Sequence, residues 1–439
     1  MVARKYGGAT AILATDMSRL LIKNAKALLG THPAGALRVH GGDMATLPRI
    51  EDGWLLAENG RITALGSMDT WPGITDWNGL EVIDATGRFV VPGWCDPHTH
   101  AVFAATREEE WVDRLRGLTY QEIAAKGGGI LNSARKLREA SEDDLFAAAK
   151  ARVEELMRLG TVAIEIKSGY GLSLEAELKM LRVVKRLKET LPLQVKATLL
   201  GAHALPAEFK ENRTAYLDMV VNELIPAAAQ EGLADFVDVF CETNYFTVAE
   251  MVRVLETGAE HGLRGKVHVN QFTSIGAIQA AVQHDCLSVD HLEVMTDADI
   301  TALTTSPHPI PTLLPGCSFF LGIPFAPARR LMEQGCAVAL ASDFNPGSTP
   351  NGNMNLVLSL ACTQMKMLPE EAINATTLNA AAAMDLSHEL GSLSIGKRAS
   401  FIVTTPLHSP AALPYYFGSD NIDTVVIDGR IIRAGEAVA

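Results

Sequence analysis

Residues 89–100 decide the fold, and they read Phe89-Val90-Val91-Pro92-Gly93-Trp94-Cys95-Asp96-Pro97-His98-Thr99-His100. The apolar run predicts a buried strand that ends in two histidines. Because side chains alternate between the two faces of a strand, His98 and His100 point the same way and can grip one divalent cation. The alternative is one capped core histidine and one loop histidine, but polar residues elsewhere in the chain supply the remaining ligands.

The composition restricts the class of protein. A chain of 439 residues, 48% of them hydrophobic, has room for one (β/α)8 barrel and an accessory domain. The net charge of −13 argues against a nucleic acid or a membrane surface as partner, although a local arginine can still bind an anionic substrate. No apolar run reaches the roughly 18 residues of a membrane span. The six cysteines form no CxxC pair, which predicts a reduced, cytoplasmic protein.

The two ends of the chain share a pattern that differs from the middle. Residues 17–88 and 386–439 alternate short apolar runs with turns, and Asn59-Gly60 and Asp428-Gly429 are strong hairpin signals. We therefore predict that both termini build one small composite β-sandwich domain. Residues 1–16 are expected to be a disordered N-terminal extension, because their apolar stretch is too short and interrupted for a signal peptide.

The middle of the chain, residues 89–385, alternates apolar strands with amphipathic stretches. Eight strand candidates predict a (β/α)8 barrel, and they are 89–95, 161–167, 194–201, 235–241, 264–269, 286–291, 309–314 and 337–343. A doubly wound open sheet is the alternative, but it would need a glycine-rich phosphate loop, and Gly127-Gly128-Gly129 lacks the GxGxxG form. The predicted fold class is α/β, a TIM-like barrel joined to the terminal β-sandwich.

Polar side chains follow almost every predicted barrel strand, at the end where such barrels place their catalytic residues. Three imidazoles and one carboxylate among them form a candidate metal-ligand set: His98, His100, His268 and Asp343. That set suits one zinc or ferrous ion and leaves a position open for water. A second metal would need a bridging lysine on the fourth strand, which has none at its end. Lys167, on the second strand, is interpreted as a structural charge or as a charge that supports the metal ligands.

Such a site predicts hydrolysis of an amide-like C–N bond. A bound metal ion lowers the pKa of water from about 15.7 toward about 7 and makes hydroxide available. Asp343 can take the proton and deliver it to the leaving nitrogen, and His291 can polarise the substrate carbonyl. Arg107, on the loop after His100, is a candidate clamp for a substrate carboxylate, with a solvated surface charge as the alternative.

Further polar residues are candidates for contacts with the substrate. Tyr120, Tyr170 and His203 could add hydrogen bonds. The turn at 345–348 would present backbone donors, and Gly347 allows a ligand to approach the backbone closely.

The motifs along the barrel resemble those of the imidazolonepropionase family of the amidohydrolase superfamily. The matching segments are DPHTH at 96–100, GGGIL at 127–131, KSGYG at 167–171, ELKMLR at 177–182, LGAH at 200–203, DVFCE at 238–242, DHLE at 290–293 and DFNPGS at 343–348. The HxH pair in the first marks only the superfamily, whereas KSGYG, LGAH, DVFCE and the turn in DFNPGS together are specific to the family. The resemblance implies a homodimer in histidine degradation that opens 4-imidazolone-5-propanoate to N-formimidoyl-L-glutamate.

Carried over position by position, the resemblance also implies residue roles. The metal ligands fall on the four residues already named. The catalytic residues fall on Asp343, His291 and Gln271. The substrate contacts fall on Arg107, Tyr120, Tyr170, His203, Gln271, Asn345, Gly347 and Ser348.

The chain departs from the family pattern at two places. After the fifth strand's histidine, relatives often carry an acidic residue, whereas this chain has Asn270 and Gln271. An amide can orient substrate but cannot act as a base, so that role falls on Asp343 with His291. After the seventh strand many relatives carry an arginine, whereas this chain reads FLGI around Gly322, which bears on specificity.

Two other functions stay open on the sequence. One is another mononuclear amidohydrolase, such as a heterocycle deaminase or a different cyclic amidase. The other is a non-catalytic binding protein on the same barrel, which would require a broken metal set. Arg107 separates the first alternative from the family's reaction, because a neutral ring would not need a carboxylate clamp.

Overall fold

The computed structural model of the protein describes residues 19–118, 122 and 128–434. Its strands form two eight-stranded sheets. In chain order the strands are β1 Arg19–Leu29, β2 Arg49–Glu58, β3 Arg61–Ser67, β4 Leu80–Asp84, β5 Phe89–Pro92, β6 Trp94–Thr99, β7 Thr161–Lys167, β8 Gln194–Ala202, β9 Phe236–Cys241, β10 Arg264–Val269, β11 Ser288–His291, β12 Ile310–Leu313, β13 Ala339–Leu340, β14 Phe401–Thr404, β15 Ile422–Ile427 and β16 Arg430–Arg433.

Helices separate most of the barrel strands. In chain order they are α1 Glu108–Leu115, α2 Ile130–Glu139, α3 Glu142–Arg158, α4 Leu174–Thr190, α5 Arg213–Met219, α6 Ile225–Gln230, α7 Val248–Glu260, α8 Ala277–Gln283, α9 Asp297–Thr304, α10 Pro315–Leu321, α11 Ala328–Glu333, α12 Met354–Met365, α13 Pro369–Thr376, α14 Leu378–Ala382 and α15 Ala412–Tyr415. Within the described ranges, none of them is long and apolar enough to cross a membrane.

The first sheet is built from both ends of the chain, as predicted. Its strand order is β16-β15-β14-β5-β1-β2-β3, with β4 paired to β1. The predicted hairpins close it at both edges: Asn59 and Gly60 have φ of 52° and 77°, and Asp428 and Gly429 have φ of 49° and 74°. Two consecutive positive φ values are what a two-residue turn needs to match the twist of the strands it joins.

The second sheet is the predicted barrel, with β6 to β13 parallel and in consecutive order. Residues just after β13 close it against β6. The backbone N–H of Asp343 donates to the carbonyl of His98 at 3.0 Å, and that of His100 donates to the carbonyl of Phe344 at 2.8 Å. The seam of the barrel therefore brings the histidines of the first strand beside Asp343.

The prediction of one strand over 89–95 was wrong, because the run divides at Gly93. Residues 89–92 pair with β1 and β14 in the terminal sheet, and the barrel begins at Trp94. A side chain at position 93 could not be accommodated, since a Cβ there would lie 2.2 Å from Val162. Buried strands on either side of such a crossing are equally apolar, so hydrophobicity alone does not show where the chain changes sheets.

The apolar core has one large part and one small part. The large cluster joins the outward faces of the barrel strands to the surrounding helices, and Trp94 lies fully buried within it. The smaller cluster lies under the terminal sheet and includes Phe401. The interior of the barrel is different, because its strands turn charged and imidazole side chains inward, and these form the site described next.

Candidate active site

A cavity of about 400 Å³ opens at the carboxyl ends of the barrel strands. Most of the predicted site residues line it, and they are His100, Arg107, Tyr170, His203, His268, Gln271, His291, Asp343, Asn345, Gly347 and Ser348. His98 is fully buried and contacts several of them. Tyr120 lies outside the described residues.

The predicted metal ligands converge on His98. Its Nε2 lies 3.5 Å from Oδ1 of Asp343, and Nε2 of His100 lies 3.7 Å from the same oxygen. The ring centroids of His98 and His268 are 4.4 Å apart. Ligand atoms of His98, His100 and Asp343 lie within 4.8 Å of one another, as do those of His98, His268 and His291. The structure thus brings all four predicted ligands together, with His291 beside them.

These residues fit a divalent cation on two observations. Nε2 of His98 is buried and has no hydrogen-bond partner, which an imidazole nitrogen in an apolar interior seldom tolerates unless it has a ligand. Burial, helped by neighbouring positive groups, holds the pKa of His98, His100 and His268 well below the usual value. The rings are therefore neutral, the form in which imidazole binds a metal.

Two buried aspartates lie beside the metal-facing imidazoles, and Asp290 is hydrogen-bonded to His98. Nδ1 of His98 donates to Oδ2 of Asp290 at 2.7 Å, and Nδ1 of His268 lies 2.9 Å from Oδ2 of Asp238. A carboxylate on one ring nitrogen fixes the tautomer and leaves the other nitrogen free for a metal. Sequence reasoning quoted both aspartates within motifs but assigned neither a role; their polar character on inward-facing strand positions was the available signal.

Lys167 forms ion pairs with both aspartates. Its Nζ lies 2.9 Å from Asp238, 3.5 Å from Asp290 and 2.8 Å from Glu165, and all four side chains are fully buried. Burial disfavours the ammonium, but the three carboxylates outweigh it and hold the pKa of Lys167 above its usual value. The lysine is therefore charged and ties the supports of His98 and His268 together.

His291 and Asp343 face the cavity from strained backbone. Their φ values are 89° and 55°, in the region that side chains other than glycine rarely adopt and that functional sites often contain. Burial opposes a charge on His291, but Glu293, whose Oε1 lies 3.5 Å from Nδ1, and Asp343 raise its pKa. Burial raises the pKa of Asp343 to about 6, although His291 opposes this.

Tyr170 and His203 form one wall of the cavity. Nδ1 of His203 donates to the carbonyl of Gly169 at 2.9 Å, so Nε2 is left as an acceptor. Its ring is nearly parallel to that of His100, with centroids 5.5 Å apart. Burial lowers the pKa of His203 to about 4, and its ring is neutral at physiological pH. The ring of Tyr170 lies 5.6 Å from that of His203.

Of the residues at which the chain departs from the family pattern, Gln271 lines the cavity and Asn270 does not. Nδ2 of Asn270 donates to the carbonyl of Val294 at 2.9 Å and to Asp299 at 3.1 Å, a bracing contact away from the cavity. Gln271 does line the cavity, with Nε2 3.4 Å from the sulfur of Cys317. Gly322 ends α10 with φ of 68°, a common helix-ending conformation.

The side of the cavity formed by α1 and the 345–348 turn carries two arginines. Arg107 donates from Nε and Nη2 to Oε2 of Glu110, at 2.8 and 2.5 Å. Arg114 donates from Nη2 to the carbonyl of Gly347 at 3.0 Å. Sequence reasoning missed Glu110 and Arg114, although three- and four-residue steps from Arg107 place side chains on one helix face.

The barrel and the histidine–aspartate cluster at its mouth define an amidohydrolase. The chain belongs to the Amidohydrolase family, whose model matches residues 89–432. Solved structures with the same fold include a triazine hydrolase variant, at TM-score 0.72 and 16% identity over 96% of both chains. E. coli guanine deaminase matches at TM-score 0.71 and 14% identity, over 95% of this chain and 99% of its own. An atrazine chlorohydrolase mutant of Arthrobacter aurescens, complexed with zinc and atraton, matches at TM-score 0.69 and 15% identity, over 96% and 97%.

Within that family the chain belongs to the imidazolonepropionases. It is 52% identical to the imidazolonepropionase of Christiangramia forsetii, over 94% of this chain and all of the relative. The enzyme of Flavobacterium johnsoniae is also 52% identical, over 94% and 99%, and that of Geobacillus thermodenitrificans is 42% identical, over 95% and 98%. The protein is a hydrolase that acts on a carbon–nitrogen bond.

Proposed function

We propose that this enzyme opens the ring of 4-imidazolone-5-propanoate to N-formimidoyl-L-glutamate with the residues of the cavity described above. One observation carries the proposal: a single cavity of about 400 Å³ combines the metal-ligand cluster with a side that bears two guanidinium groups. That volume suits a small ring with a short carboxylate chain. A deaminase or amidase that acts on neutral rings would not need the two guanidinium groups.

His98, His100, His268 and Asp343 are proposed to hold one divalent cation, zinc or iron. Three neutral imidazoles and a carboxylate are ligands that both metals accept. A cation held by these residues would lower the pKa of water from about 15.7 toward about 7 and so make hydroxide available at neutral pH.

Asp343 and His291 are proposed to move the protons. Asp343, whose buried carboxylate faces the cavity, would accept a proton from the attacking water and return it to the ring nitrogen as the C–N bond breaks. Oδ2 of Asp343 accepts from Thr349 at 3.2 Å, which orients the carboxylate. His291, whose pKa Glu293 and Asp343 raise against the effect of burial, would donate a hydrogen bond to the carbonyl oxygen of the ring as negative charge develops on it.

The remaining predicted residues are proposed to bind and orient the substrate. Gln271, with no titratable group, would hydrogen-bond the ring amide. Tyr170, His203 and the residues of the 345–348 turn would surround the ring, and Arg107 would donate to the propionate. Tyr120 is also proposed to form a hydrogen bond with the substrate.

The test uses the purified metal-loaded enzyme and freshly prepared 4-imidazolone-5-propanoate, whose absorbance disappears as the ring opens. We expect decay that a chelator abolishes and that zinc or iron restores. An Arg107→Ala variant should raise KM by about tenfold or more, as for loss of one charged hydrogen bond. Turnover of guanine but not of the imidazolone would favour a deaminase, and unimpaired turnover after metal removal would refute the hydrolytic mechanism.

Two wider features complete the proposal. We propose that the enzyme works in the cytoplasm, in keeping with its six free cysteines, five of them buried. We also propose that it forms a homodimer, as the family resemblance implies. Size-exclusion chromatography with light scattering measures the oligomer directly, and a mass of one 47.1 kDa chain would contradict the dimer.

A further inference from the structure

Arg114 lines the same cavity as Arg107 but is not among the residues proposed above to bind the substrate. It lies one turn beyond Glu110 on α1 and contacts the cavity wall through the carbonyl of Gly347. Its guanidinium carbon lies 5.6 Å from the centre of the Phe320 ring, which supports the flat group from one side. The side chain is thus held at the cavity rim by two contacts, neither of which neutralises its charge.

Arg107 differs from Arg114 because its charge is already balanced. Oε2 of Glu110 accepts two hydrogen bonds from Arg107, and Oε1 accepts one from the backbone N–H of Gly129 at 3.0 Å. Both side chains are largely buried, with 19% and 14% of their side-chain surfaces exposed, so water screens the pair only weakly. The pair has no net charge, and Arg107 keeps one donor on Nη2 and the two donors of Nη1, which lies against Gly347.

We propose that Arg114 is the residue that makes the cavity selective for an anionic substrate. Arg107, locked by Glu110, supplies directed hydrogen bonds, and Arg114 supplies the net positive charge. From this segment of the chain, three charged side chains line the cavity: Arg107 (+1), Glu110 (−1) and Arg114 (+1). Their sum is +1, and a substrate carboxylate brings it to zero. This inference rests on the proposed function, since it names the residue that selects the carboxylate-bearing ring.

The arrangement predicts a specific pattern of charge rescue. Arg114→Gln removes the net charge and should abolish the preference for an anion. Glu110→Gln in the same chain frees the charge of Arg107 and should restore that preference. A role for Arg114 in merely holding the 345–348 turn predicts no such rescue, because Glu110→Gln adds no contact with that turn. Since Arg114 lies at the exposed rim, the preference should also weaken at high ionic strength.

The experiment measures binding to the metal-loaded enzyme by calorimetry at low salt. The probes are 3-(imidazol-4-yl)propanoate and its primary amide, which have the same shape and differ by one charge. We expect the wild type to bind the carboxylate at least about tenfold more tightly than the amide, and R114Q to lose about tenfold of that ratio. The double variant R114Q/E110Q should regain it. Arg116→Gln, an exposed arginine at the end of the same helix, is the matched control and should leave the ratio unchanged.

The outcomes separate this inference from the function on which it rests. If the wild type does not prefer the carboxylate, the proposed anionic substrate is wrong. If the wild type prefers it and R114Q keeps the ratio, or if E110Q does not restore the ratio in R114Q, the role of Arg114 is overturned and the proposed reaction stands. A general loss of folding lowers the affinity for both probes alike and does not change the ratio.

Discussion

Lys167→Met should destabilise the protein severely, because it removes the only cation in contact with three buried carboxylates in the described barrel. Nζ lies 2.8 Å from Glu165, 2.9 Å from Asp238 and 3.5 Å from Asp290, all fully buried. Removing one partner from such a buried network costs about 3–5 kcal/mol. Since the whole free energy of unfolding of a typical protein is about 5–15 kcal/mol, the loss would be a large fraction of it.

The same substitution predicts an unusual response to metal. In K167M the positive charge of a bound cation compensates part of the negative charge of Asp238 and Asp290. The cation is also no longer repelled by the ammonium of Lys167. Zinc should therefore raise the unfolding temperature of K167M more than that of the wild type. Urea unfolding of the metal-free proteins measures the first effect, and thermal unfolding with and without zinc measures the second.

Lys266→Met is the matched control, since Lys266 is equally buried in the barrel. Its Nζ donates to Oγ of Ser288 at 2.7 Å and to the carbonyl of Ala383 at 2.8 Å, rather than to a carboxylate. Leaving those groups unpaired costs about 1–3 kcal/mol, less than for K167M. The role of the charge network is refuted if K167M has the same free energy of unfolding as the wild type. It is also refuted if zinc raises the unfolding temperatures of K167M and the wild type equally.

Three further outcomes are expected. Asp290→Asn replaces the carboxylate 2.7 Å from Nδ1 of His98 by a neutral amide, which is a weaker acceptor, and should weaken metal binding by about 10–100-fold in competition with a chelating dye; unchanged affinity would show that the charge of Asp290 does not support the ring. Gly347→Ala places a Cβ 2.5 Å from Nη1 of Arg107 and should raise KM about tenfold with the fold intact, whereas Gly418→Ala, with open space around it, should match the wild type. Burial lowers the pKa of Lys397 to about 8, against about 10.4 unfolded. The unfolded state then binds more protons between these values, so the free energy of unfolding should rise by up to about 3 kcal/mol from pH 8 to 10.4 relative to Lys397→Met; parallel pH curves for the two proteins would contradict this.

Local patterns predicted much of this fold because local physics dictates them. The alternation of strand side chains placed His98 and His100 on one face, and the structure has both facing the cluster. The Asn59-Gly60 and Asp428-Gly429 turns predicted their hairpins because few other residues adopt consecutive positive φ values. Polar residues after successive apolar strands predicted a shared mouth, since parallel strands of a barrel end on the same side.

Other features depend on contacts between distant segments. The change of sheet at Gly93 follows from the pairing of residues 89–92 with β1 and β14 and of Trp94 with β7, which are distant in sequence. The contact of Arg114 with the carbonyl of Gly347 joins residues that are 233 positions apart, so the sequence near α1 does not indicate it. The motif that contains Lys167 likewise gives no sign that its ammonium reaches carboxylates on two other strands.

The sequence by itself determined which chemical groups this protein contains. They are three histidines and an aspartate at strand ends of a hydrolytic barrel, and an arginine that could bind a substrate carboxylate. Those depend on residue type and on the periods of strand and helix, which short segments carry. Tertiary structure alone decided which charges remain unbalanced. Electrostatic pairing depends on distances of a few ångströms between residues far apart in the chain, and these exist only once the barrel closes between His98 and Asp343.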